Sequence, residues 1–261
     1  MMHVVRSEWA RLMRPGMVLG GGLLLVALGS LATAMAFGLA EAEPTTGPGG
    51  ATTIAVLEAE DGLVQTMVFS SQVIGAVSLV IFARSIANDH QQGTLKVMLS
   101  REPRRFVLFA GKVVALSAFV TASVAVTVVA MLATGSFVAA IRGIDTSAWW
   151  TSSGGAETLA GALRLWLATL GWGVFGLMLG TLLRSAGVAT GIGIGFFAVG
   201  EHMLEMFWGD AAKVLPGLVL AAFTVGGNAA LAMGAAAAIA AAYTAAFLFV
   251  SATVFWRRDV A

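Results

Sequence analysis

Six stretches of this chain run for about 20 residues or more with hardly a charged side chain: 17–39, 66–87, 113–141, 163–183, 186–206 and 229–255. A helix of about 20 apolar residues crosses the roughly 30 Å hydrocarbon core of a bilayer. Inside that core the backbone must satisfy its own hydrogen bonds, and a helix does so within one segment. Composition closes the alternative. The chain is 58% hydrophobic and 11% charged, with mean hydropathy +0.89, whereas a soluble domain carries roughly 25% charged residues. The expected fold is an all-α integral membrane protein with six transmembrane helices, forming one domain over residues 1–261. The third and sixth runs exceed what a span needs, which implies tilt or extension beyond the bilayer.

The placement of charge orients these spans. With each charge assigned to the nearer connection, twelve of the fifteen Lys and Arg residues fall on one side; Arg142, Arg164 and Lys213 fall on the other. Basic connections stay in the cytoplasm, so both termini are expected inside. Ten of the fourteen acidic residues fall on the opposite side, in agreement. Ala40-Glu41-Ala42 offers a signal-cleavage-like site, but run 17–39 exceeds the roughly 7–15 residues of a signal core, so a retained span is expected. Trp149, Trp150 and Trp208 fit an outer aromatic belt, and Trp9 and Trp256 an inner one. The expected location is the plasma or inner membrane, multi-pass.

Ahead of the first span, residues 3–15 are basic and apolar by turns. As a helix, Val5, Trp9, Leu12 and Met13 share one side, Arg11 and Arg14 lie opposite, and Arg6 and Glu8 flank the stripe. That pattern fits a helix lying on the inner leaflet, with arginines near lipid phosphates. Pro15-Gly16 then turns the chain into the bilayer.

The connection between spans two and three is the richest stretch. Thr94 to Ser100 places Leu95, Met98 and Leu99 at helical spacing, and Arg104-Arg105 follow. A plain turn needs no amphipathic helix, whereas such a helix is a means of docking a partner protein. Here the chain resembles a permease subunit of a type-2 ABC exporter. The residues that carry the likeness are Asp89, Gly93, Thr94, Leu95, Lys96, Leu99, Ser100, Pro103, Arg104 or Arg105, and Gly111-Lys112. Asp89 stands where that family often has Glu.

The resemblance implies a cytoplasmic coupling helix between spans two and three, near Gln91–Leu99, seated in a cleft of an ATP-hydrolysing partner. Leu95, Met98 and Leu99 would be its apolar knobs, with Asp89 and Lys96 as polar registration points. It further implies two ATPase subunits and a second copy of this chain, or a close paralogue, completing the pathway. A re-entrant outer hairpin would precede span six, built from the apolar piece 218–225, which is too short to cross. A nucleic-acid partner is not expected.

The chain carries no phosphate-binding loop of its own. Its Gly-Lys pair, Gly111-Lys112, is followed by Val113 and lacks the glycine five residues earlier, where Phe106 stands. No cofactor is expected here, and ATP and Mg would sit on the partner ATPase. Gly187, Gly191 and Gly195 form a small-residue ridge in span five suited to helix packing or dimer contact, and Gly176 and Gly180 do the same in span four. Glu201, His202 and Glu205 are ionisable groups near membrane depth, candidates for the pathway. Thr121 and Thr127 are candidate pathway hydroxyls, although such groups commonly bond back to their own helix. Metal binding by the Glu-His set is a minor alternative, and no catalytic set is evident. Against the transport reading stand a membrane enzyme or maturation factor, and an ion-coupled carrier. The first needs reactive residues that the spans almost lack; the second usually shows inverted repeats.

Overall fold

A computed structural model describes residues 2–41, 53–94 and 104–257. Their architecture is helical throughout, with only isolated β-bridges, and among them five helices are long and apolar enough to span a bilayer. Helix α1 (Met2–Leu12) is short and leads to α2 (Pro15–Gly38), with the proline in its first turn. Then come α3 (Gly62–Gln91), α4 (Arg105–Arg142) and α5 (Ser152–Leu183). Helix α6 (186–207) is built of three consecutive pieces, the middle one a π turn at Phe196–Gly200. A short helix α7 (Pro216–Val225) precedes α8 (Met233–Arg257).

The core of the bundle is the α3–α5 pair. The two run parallel in a constant register: Val64 lies against Gly161, Leu79 against Gly176 and Ala83 against Gly180. A side chain on Gly176 or Gly180 would overlap the backbone oxygen of Leu79 or Ala83. The small residues therefore bring the two backbones into direct contact, the packing that lipid favours because apolar area alone does not drive helices together there. The expected ridge of span four is thus an internal seam.

Gly187, Gly191 and Gly195 behave differently. An added Cβ at each meets nothing within 4 Å, whereas Gly193 between them packs tightly on Leu79 and Leu179. The expected ridge of α6 faces away from this chain's own bundle.

Helix α2 packs along α4, with Gly29 against Thr127 and Met131. Helix α8 returns beside α5 and α4; Arg105 donates to the Trp256 carbonyl at 3.1 Å, and Phe109 packs on Phe255 at 5.4 Å between ring centroids. The last turns of α3 and α8 and the first turns of α2 and α4 thus share one end of the bundle, which we call the basic end. A turn of only Arg184 and Ser185 joins α5 to α6, with Ser185 accepting the Val188 amide at 3.4 Å. Helix α6 then runs antiparallel to α5, bringing Phe197 against Trp172 and Phe175.

At the opposite end, Arg142 closes the first long helix. Its guanidinium donates to the carbonyls of Phe37, Gly38 and Ala40, satisfying oxygens that a helix C-terminus leaves free. Trp149 corrects the aromatic-belt expectation. It is buried, donates from Nε1 to the Leu57 carbonyl at 2.9 Å, and meets Phe37 edge-on. Trp150, its neighbour, is exposed.

Helix α1 also differs from expectation. Its buried face is Val4, Glu8 and Leu12, while Val5 and Trp9 are half-buried and Met13 is exposed. The reason is its neighbour: α1 lies on the first turns of α4, with Val4 over Gly111, and ion pairs rather than the apolar stripe set its rotation.

Candidate functional site

At the basic end, four charged side chains from three helices close into a buried ring. Asp89, near the last turn of α3, and Glu8, on α1, are the anions. Lys112, in the second turn of α4, and Arg11, on α1, are the cations. Lys112 Nζ lies 2.7 Å from Asp89 Oδ2 and 3.0 Å from Glu8 Oε2. Arg11 reaches Asp89 Oδ1 at 2.7 Å and Glu8 Oε1 at 3.1 Å. Lys112 also donates to the Ser85 hydroxyl at 3.1 Å. The Lys112, Asp89 and Glu8 side chains are 2%, 1% and 4% exposed, so water screens these contacts little.

The ring is neutral, two charges against two. That matters because removing one partner of a buried pair strands the other. Burial works against the Arg11 charge, but the hydrogen bond and charge of Asp89, with those of Glu8, outweigh it and hold the guanidinium above the usual arginine range.

The ring sits on both flanks of the connection that sequence reading singled out. After Asp89, α3 ends at Gln92, and Gly93 adopts φ 65°, a left-handed conformation that costs any residue with a Cβ. Thr94 folds back, its hydroxyl donating to Asp89 Oδ1 at 3.1 Å. Lys112 stands on the far flank. One carboxylate therefore holds the start of the connection to its end. Gln91 and Gly93 are exposed, whereas Asp89, expected as a registration point for a partner, is turned into the chain's own ring. Leu95, Lys96, Met98 and Leu99 lie outside the described residues.

The other candidates do not form one site. Glu201 is buried on α6 and accepts the Gly217 and Leu218 amides at 3.0 and 2.9 Å, capping the N-terminus of α7. His202 and Glu205, close to it in the chain, are exposed. Among the described residues, no cluster of three or more His, Cys, Asp or Glu could hold a metal ion. The Thr121 hydroxyl donates to the Ser117 carbonyl and accepts from Trp166; that of Thr127 donates to the Ser123 carbonyl.

Sequence reading missed Glu8, Arg11 and Lys112 as a unit. Lys112 held the clearest signal. It is the single charge between Phe106 and Ile141, set among apolar residues in the second turn of α4, where a buried charge is costly without a partner.

Long apolar helices packed through small residues define this chain as an α-helical multi-pass membrane protein. Residues 49–261 match the family described as Protein of unknown function (DUF2705), and the chain belongs to that family. The matched region contains Asp89 and Lys112 and begins after α1, which carries Glu8 and Arg11. No curated protein matches the chain.

Proposed function

We propose that this chain is the transmembrane subunit of an ATP-driven ABC transporter, an exporter of a hydrophobic or amphipathic solute. It works with a second copy or a close paralogue, and with two copies of a separate ATPase. The observation that carries the reading is the Asp89–Lys112 contact of 2.7 Å across the base of the 93–104 connection. A connection that receives a push must pass it on without bending at its roots. Here both roots are locked to each other and to α1, so a force on the connection moves the ends of α3 and α4 together.

In this reading α6 is the fifth of the six spans and α8 the sixth. The 22 residues of α6 extend about 33 Å at 1.5 Å per residue. Both termini are cytoplasmic, the membrane is the plasma or inner membrane, and the stretch near Gln91–Leu99 couples the chain to the ATPase. Helix α7, ten residues packed on α5 and α8, forms the outer hairpin. The open glycine face of α6 suits the partner copy.

The test is co-purification of the full chain with its ATPase, followed by Leu95→Asp and Met98→Asp. Loss of assembly or of transport-linked ATP hydrolysis in both variants supports the reading. Retention of both properties overturns it.

A further inference from the structure

A cavity of about 440 Å³ opens at the basic end between α1, the first turns of α2 and the last turns of α3. It is polar at one end, where Arg14, Arg84 and Asn88 line it beside the rim of the charge ring. It is apolar at the other, where Leu24, Val77 and Ile81 line it. Gly16 and Gly20 also border it, and a Cβ on either meets nothing within 4 Å.

Charge and depth narrow the occupant. Within the ring, Glu8 and Asp89 already balance Arg11 and Lys112. Arg14 and Arg84 are exposed, and neither forms an ion pair among the described residues. The cavity therefore presents two uncompensated positive charges. Counting from Asp61, the charged residue that precedes α3 at the opposite end, Arg84 lies 23 residues on, about 34 Å along the helix. That exceeds the roughly 30 Å of the hydrocarbon core, so Arg84 stands at headgroup depth. Arg14 directly precedes Pro15, where α2 begins. A cleft that is cationic at headgroup level and apolar just beneath it matches one kind of molecule.

We propose that this cavity binds an anionic phospholipid of the adjoining leaflet. Its phosphate lies between Arg14 and Arg84, where charge-assisted hydrogen bonds are strongest. Asn88 meets the glycerol region. One acyl chain follows the side-chain-free strip at Gly16 and Gly20, between α2 and α3. Such a lipid braces α1 against α3 on the side where the ring leaves Arg11 34% exposed. A zwitterionic lipid carries its own ammonium beside the phosphate and answers the two arginines less well.

The test uses the full chain in nanodiscs of phosphatidylcholine mixed with phosphatidylglycerol, with retained lipid read by native mass spectrometry. The expected preference of the unaltered chain for phosphatidylglycerol is about thirtyfold, the scale of two basic groups at an anionic surface. Arg14→Gln/Arg84→Gln should bring it close to one, and Arg14→Lys/Arg84→Lys should keep most of it. Gly20→Phe fills the acyl strip and should lower phosphatidylglycerol retention with both arginines present. Thermal unfolding in phosphatidylcholine alone checks that each variant is folded. Equal retention of the two lipids by the unaltered chain overturns the proposal. So does an unchanged preference in the Gln pair, or full displacement of the lipid by millimolar glycerol phosphate, which would mark a soluble phosphate ligand.

Discussion

Replacing Lys112 by Met keeps the volume of the side chain and removes one of the ring's two cations. Lys112 Nζ touches two carboxylates, at 2.7 and 3.0 Å, in a site where all three side chains are at most 4% exposed. At an effective dielectric near 20, each contact is a gross attraction of about 6 kcal/mol. Most of that offsets the desolvation of the groups themselves. The quantity that survives is the cost of leaving a buried charge without its partner, about 3–5 kcal/mol. For a chain of this size that corresponds to a fall in Tm of roughly 6–20 °C. Charge balance supplies the control. Glu8→Gln with Lys112→Met leaves Arg11 facing Asp89, one charge against one. The pair should regain more than half of the single variant's loss, a coupling that a double-mutant cycle isolates. The assay is thermal unfolding of the full chain in detergent at neutral pH. A Lys112→Met protein within about 2 °C of the parent would refute the reasoning. So would a double variant whose loss equals the sum of the two single losses.

Gly176→Ala forces a methyl group into the Leu79 carbonyl and should destabilise by about 1–3 kcal/mol or more, whereas Gly187→Ala, facing open space, should be neutral; unfolding temperatures compare them. Glu201→Ala leaves the Gly217 and Leu218 amides without their acceptor. It should cost about 1–3 kcal/mol and raise hydrogen exchange across 216–225 while that of α3 stays unchanged.

The long apolar runs made the membrane class legible, because about 20 residues without charge have few other uses. The α3–α5 seam was half legible. Gly176 and Gly180 announced a close approach, but spacing does not say which helix arrives. Trp149 and Trp150 are adjacent and identical in type, yet one fills the core and the other faces outward; that follows from the short helical turn at Ser147–Trp150, which no periodicity describes. Arg11 was placed opposite the apolar stripe of α1, near lipid phosphates. The rotation of α1 answers instead to Asp89, 78 positions from Arg11, and to Lys112, 104 positions from Glu8. Glu201, His202 and Glu205 looked like one group in sequence. A helix turns by 100° per residue, which separates His202 from Glu201, whereas Glu205, one turn on from Glu201, is exposed past the α7 amides that Glu201 accepts.

The chain has no cysteine, so Met98→Cys introduces a unique thiol on the connection whose roots the ring locks. Fitted with a short photoreactive cross-linker in native membranes, that thiol should capture one partner. The partner should bind ATP, and its yield should change when ATP is added. Cross-linking to lipid alone, or labelling of the thiol by an impermeant reagent from outside the cell, would contradict the transport-subunit reading at its base.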